Sequence, residues 1–70
     1  MRRKNQHIIP LGSGWAVKEE GSRKFTIITD SKNTAIKVGR QIAKNEKSEL
    51  VIHNKDGKIR DKKSYVSVGE

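Results

Sequence analysis

The sequence predicts a single α+β domain in which one helix packs on one face of an antiparallel sheet of four to five strands. Segments of alternating apolar and polar residues, typical of half-buried strands, occupy both ends of the chain. A central segment instead carries apolar residues at the three- and four-residue spacing of a helix. The turns between the first strands are too short for a crossover, so those strands pair antiparallel. The predicted element order is β-β-β-α-β-β.

The first three strands form a predicted antiparallel meander at residues 7–11, 14–20 and 25–29. Pro10 has no backbone N–H and suits the end or edge of the first strand. In the second strand Trp15 and Val17 share one face, and in the third Phe25 and Ile27 do. Both aromatic residues are therefore expected to be buried beneath the helix.

The helix is predicted from Lys32 to about Asn45, with Ser31 as its N-cap or Asp30 one residue earlier. Its apolar stripe comprises Ala35, Val38, Gly39, Ile42 and Ala43, with Ile36 on the flank. A glycine inside a helix costs about 1 kcal/mol relative to alanine. Because Gly39 lies on the apolar stripe, we expect the helix to approach the sheet closely there.

Two further strands are predicted at residues 49–53 and 58–60, joined by the hairpin signal Asp56-Gly57. The remainder, 61–70, either adds a short edge strand or lies over the core. The predicted organisation is a basic flexible arm at 1–6, one domain at 7–66 and a tail at 67–70.

Composition limits the functional classes. Seventy residues hold one domain, and the absence of cysteine excludes disulfides and thiolate metal sites. No apolar run approaches the roughly 20 residues that span a bilayer, so no membrane contact is expected and the cytoplasm is the expected location. Sixteen lysines and arginines against eight acids give a formal charge of +8, which attracts polyanions.

The positive charge falls in three clusters. The helix face opposite the apolar stripe has like-charged neighbours and no acid between Ser31 and Asn45. A helix face selected for solubility alone more often mixes acids with bases, because opposite charges at i,i+4 stabilise it. The predicted nucleic-acid-binding residues are Arg2, Arg3 and Lys4 in the arm, Lys37, Arg40, Lys44 and Lys47 on the helix, and Lys58, Arg60 and Lys62 in the last hairpin.

Several sequence blocks resemble those of one family. They are His7-Ile8-Ile9-Pro10, Gly14-Trp15-Ala16-Val17-Lys18, Thr34-Ala35-Ile36, Ala43-Lys44-Asn45, Glu49-Leu50-Val51-Ile52-His53 and Asp56-Gly57-Lys58-Ile59-Arg60. Over residues 7 to 65 the chain is similar to domain of unknown function 2188, a group of small bacterial and phage proteins. The resemblance implies a compact bacterial or phage domain and brings no activity, cofactor or catalytic residue.

No catalytic, metal or cofactor site is predicted. His7 and His53 are the only imidazoles, and two histidines without a third ligand make a poor zinc site. Gly12-Ser13-Gly14 lacks the Gly-Lys-Ser/Thr of a phosphate loop and leads into a strand, so it is a turn.

The leading hypothesis is a nucleic-acid-binding domain, favouring duplex DNA held through phosphates with little sequence specificity. The alternative is a protein-interaction adaptor, for instance a phage-encoded modulator that binds an acidic partner surface or pairs through a sheet edge. A homodimer through the same edge is compatible with either.

Overall fold

The computed structural model describes residues 4–66 and confirms the α+β class and the element order. The elements are β1 (Gln6–Leu11), β2 (Gly14–Glu19), β3 (Phe25–Thr29), α1 (Lys32–Glu46), β4 (Glu49–His53) and β5 (Ile59–Ser64). The ends of the predicted arm and the predicted tail, residues 1–3 and 67–70, lie outside the described residues.

The five strands form one sheet in the order β3-β2-β1-β4-β5. Three neighbouring pairs are antiparallel, as expected, but β1 and β4 run parallel, so the sheet is mixed rather than antiparallel throughout. The cause is the helix, which returns the chain across the sheet after β3. β4 therefore enters beside β1 in the same direction, as the second strand of a crossover connection does.

The core lies between α1 and one face of the sheet. The buried apolar residues that form it are Ile8, Trp15, Val17, Ala35, Ala43, Leu50 and Ile52. A Cβ added at Gly39 would lie 2.5 Å from Ile8 Cδ1 and 3.0 Å from Leu50 Cδ1. The predicted close approach of the helix at this glycine is confirmed.

The helix ends are set by local hydrogen bonds. The Ser31 hydroxyl accepts a hydrogen bond from the Thr34 amide at 3.3 Å, which confirms the predicted N-cap. At the other end Lys47 adopts a left-handed conformation with φ of 53°. The Ser48 amide then donates to the Ala43 carbonyl at 2.9 Å, which satisfies one carbonyl of the last turn.

Of the two aromatics expected beneath the helix, one is there and one is not. Trp15 is buried, with 7% of its surface exposed. The expectation for Phe25 was wrong, because it is 37% exposed. An irregularity between Val17 and Lys18 pairs Phe25 with Lys18 instead of leaving it in phase with Ile27. The side chain of Phe25 therefore lies on the sheet face that points away from the helix.

The first and last strands are longer than predicted. Gln6, assigned from sequence to the arm, is the first residue of β1 and is fully buried. β5 continues to Ser64, so residues 61–64 form the edge strand that was one of the two alternatives for residues 61–70. Tyr65 follows β5 and packs against the core.

Candidate nucleic-acid interface

A shallow groove of about 220 Å³ lies between α1 and β5, lined by Ile36, Ile52, Arg60, Asp61 and Lys63. It exists because the helix packs on β1 to β4, while β5 lies beyond it at the edge of the sheet. The helix-facing side of β5 is therefore left open, and all six of its residues are exposed.

The pairing of β5 with β4 determines which charges face the groove. Asp61 pairs with Ile52 and Lys63 pairs with Leu50, both of which are buried beneath the helix. Directly opposed residues in a sheet point to the same face, so these two charged side chains lie on the helix side. Lys62 points to the other face, where its Nζ lies 3.4 Å from Glu49 Oε1.

The second wall of the groove is a row of helix residues. Ile36 lines the groove, and Arg40 and Lys44 follow it at four-residue intervals, so the three side chains lie in one row. Lys44 Nζ lies 5.7 Å from the ring centroid of Tyr65, the residue after β5. Arg40 and Lys44 are exposed and continue the helix row beyond Ile36, which is the one helix residue in the lining of the groove.

The groove is strongly cationic. Arg60 and Lys63 lie in its lining, Arg40 and Lys44 continue the helix row that starts at Ile36, and within residues 4–66 none of these four forms an ion pair. Lys37 is exposed but lies outside the lining, one position round the helix from Ile36. Asp61 is the one carboxylate in the lining, and its Oδ1 accepts a hydrogen bond from the Lys62 amide at 2.8 Å. A cluster of like charges of this kind creates a positive potential that attracts anions.

The remaining predicted residues are not gathered at this groove. Lys62 lies on the opposite sheet face, and Lys4 Nζ lies 3.5 Å from Glu19 Oε2. Lys47 is the C-cap of the helix, and Lys58 immediately precedes β5, at the end of that strand remote from Lys63. Arg2 and Arg3 lie outside the described residues.

Lys63 was missing from the predicted site, although the sequence carries a signal for it. Strand side chains alternate between the two faces, so Lys63 and Asp61 must share a face that Lys62 does not. Which of these faces lies under the helix depends on the register with β4, and the sequence alone does not give that register.

The two histidines are neighbours on the sheet face away from the helix. His7 Nδ1 lies 3.0 Å from His53 Nε2, His7 Nε2 lies 3.1 Å from Glu20 Oε1, and His53 Nδ1 lies 3.0 Å from the Gly57 carbonyl oxygen. Both outer partners only accept hydrogen bonds.

The described residues form neither a metal centre of three or more protein ligands nor a membrane-spanning helix. Within residues 4–66 no three metal-ligating side chains converge. The single helix of this part of the chain is too short and too polar to cross a bilayer.

Comparison with known proteins places the sequence in a bacterial group. The family described as "Uncharacterized protein conserved in bacteria (DUF2188)" matches residues 6–65. "Uncharacterized protein YdaT" of Bacillus subtilis (strain 168) is 37% identical over 59 residues, which are 84% of this chain and 39% of that protein. The chain thus spans about two fifths of that relative's length. No solved structure matches.

Proposed function

The chain belongs to the bacterial DUF2188 family, and we propose that it binds duplex DNA through phosphate contacts, with little sequence specificity. The observation that carries this proposal is the groove between α1 and β5, which has Arg60, Lys63 and a single carboxylate in its lining and Arg40 and Lys44 on the adjoining helix row. Binding of this kind needs no catalytic group, cofactor or metal. We also propose that the chain is located in the cytoplasm, where chromosomal or phage DNA is accessible.

The dimensions of the groove suit a duplex. From Lys37 to Lys44 the helix rises about 10 Å, and from Arg60 to Lys63 the strand extends about 10 Å. Duplex DNA carries one phosphate charge per about 1.7 Å of its axis, or roughly six over that length. The four cations Arg40, Lys44, Arg60 and Lys63 can therefore each meet a phosphate without a bend in the DNA.

The side chains near the groove favour a duplex over a single strand. Proteins that bind single strands stack bases on exposed aromatic rings. Trp15 is buried beneath the helix, Tyr65 packs against the core, and Phe25 belongs to the opposite sheet face. The groove offers cations rather than a stacking platform, and a groove of this kind contacts phosphates without distinguishing bases.

A mobility-shift titration with a duplex of arbitrary sequence tests the proposal. We expect a shift at micromolar protein in low salt that weakens strongly at moderate salt. The variant K37E/R40E/K44E should abolish the shift. A control with the same charge change at Lys18, Arg23 and Lys55, which lie away from the groove, should retain most of it. Absence of a shift for the native chain at micromolar protein would remove the proposal.

A second candidate function, a protein-interaction adaptor, is favoured by one observation. On the sheet face away from the helix, the strand pairings align Ile28, Ala16 and Ile9, and they place Ile59 beside His53. Ile28 and Ile59 are 63% and 61% exposed, which is unusual for large apolar side chains. An adaptor, including a phage-encoded modulator of an acidic host protein, would use this face.

The same K37E/R40E/K44E variant separates the two functions. If the chain acts as an adaptor, the variant should still capture its partner after losing any affinity for DNA. Substitution of Ile28 and Ile59 by serine should abolish capture of the partner and leave any affinity for DNA unchanged.

A further inference from the structure

The histidine pair, His7 and His53, is held in a defined arrangement by the sheet. His7 pairs with Val51 of the parallel neighbour β4, and His53 lies two residues further along that strand, so both side chains point to the same sheet face. His7 Nδ1 and His53 Nε2 face each other at 3.0 Å. The outer ring nitrogens lie 3.1 Å from the Glu20 carboxylate and 3.0 Å from the Gly57 carbonyl oxygen, respectively. Both rings are therefore oriented by partners outside the pair.

Metal-binding histidines have this arrangement. A histidine that ligates a metal almost always donates its other ring N–H to a carboxylate or a backbone carbonyl, which fixes the ring and its tautomer. The Glu20 and Gly57 oxygens are acceptors of these two kinds, so the facing nitrogens are the ones left to ligate. We propose that the histidine pair binds one Cu²⁺ ion, which takes the place of the hydrogen bond between the two rings.

The spacing of the facing nitrogens selects the ion. Two imidazole nitrogens at about 2.0–2.1 Å from one ion are about 3.3–3.4 Å apart when the ion is tetrahedral, as zinc prefers, and about 2.8–3.0 Å apart at a right angle. The 3.0 Å between His7 Nδ1 and His53 Nε2 fits the right angle. Square-planar and tetragonal sites are typical of Cu²⁺ and Ni²⁺, and Cu²⁺ binds most tightly of the first-row divalent ions. A small rotation of each ring aims both lone pairs at an ion beside the line that joins the two nitrogens.

An open cavity beside the histidine pair has room for the ion and its water ligands. The cavity has a volume of about 220 Å³, and both histidines line it together with Lys18, Glu19 and Glu20. Glu19 Oε2 lies 3.5 Å from Lys4 Nζ, so the charges around the cavity balance and do not repel a cation, although the whole chain carries +8. Within residues 4–66 no third side chain completes the site, so water fills the remaining positions and the ion stays exchangeable.

Calorimetric titration of the chain with Cu²⁺, without DNA, measures the binding. The native chain should bind one ion. H7Q and H53Q each remove a ligand and should each lose more than about 10-fold in affinity, and E20A should lose about 10-fold because His7 loses its outer partner. E46A makes the same charge change at an exposed helix position and should bind as the native chain does. Circular dichroism confirms the fold of each variant.

Amide spectra of the ¹⁵N-labelled native chain test the location without any substitution. Cu²⁺ is paramagnetic and broadens the signals of nearby amides, so a substoichiometric amount should first remove those of residues 7–8 and 52–54. The helix and its groove, on the other face of the sheet, should keep their signals. Absence of binding, broadening confined to the chain terminus or to carboxylates remote from the histidine pair, or native affinity in H7Q and H53Q would overturn the proposal.

Discussion

The salt dependence of DNA binding counts the phosphates that the groove neutralises. Each neutralised phosphate contributes about −0.9 to the slope of log K against log salt concentration. If Arg40, Lys44, Arg60 and Lys63 each meet a phosphate, the slope should be about −3.6, and affinity should fall about 150-fold between 50 and 200 mM salt. The variant R40Q/K44Q removes two of these contacts. Its slope should be about −1.8, and its affinity should fall only about 12-fold over the same range.

Fluorescence anisotropy of a labelled duplex, titrated at four salt concentrations, provides the slopes. The matched control is K18Q/R23Q, which removes the same net charge from the sheet face and turn away from the groove. The control should keep the native slope, because counterions are released only by cations that contact phosphates. Equal slopes for the native chain and R40Q/K44Q would refute the groove as the contact. So would an equal loss of slope in the control.

Three further predictions concern stability, and each is measured as the free energy of unfolding in urea. G39A gains about 1 kcal/mol of helix propensity but forces a methyl group against Ile8, so the free energy of unfolding should fall by about 1 kcal/mol in net. Adding I8V should restore native stability, which corresponds to a coupling energy of about 2 kcal/mol between the two substitutions. K47G relieves the left-handed conformation and should stabilise by about 1 kcal/mol, whereas K47A should not. H53A removes two hydrogen bonds, one of them to His7, and should lower the free energy of unfolding by about 1–3 kcal/mol. An unchanged free energy of unfolding would show that these two hydrogen bonds do not form.

Much of the fold could be predicted because local patterns and tertiary packing agree. Alternation marked the early strands, Ser31 marked the helix start, and Gly39 marked the contact between helix and sheet. β5 was underestimated because its charged residues carry little apolar alternation, and its strand conformation depends on pairing with β4. Phe25 was misplaced because an irregularity in pairing shifts its phase.

The candidate site was predictable where it depends on one element. Arg40 and Lys44 share a helix row by spacing alone, and the structure places that row beside the groove. Which β5 side chains face the groove depends on the register of β5 with β4. That register places Lys63, rather than the predicted Lys62, on the groove side. Lys4 was assigned by its charge, but the fold brings it within 3.5 Å of Glu19.

The central claim is that DNA meets the face formed by α1 and β5. Titration of the ¹⁵N-labelled chain with a short duplex, followed by amide chemical shifts, locates the contact residue by residue. The account predicts the largest shifts from Lys37 to Lys44 and from Arg60 to Lys63, with β3 and the turn around Arg23 unchanged. Shifts concentrated on Ile28, Ile9 and Ile59, or none at a saturating excess of duplex, would contradict it.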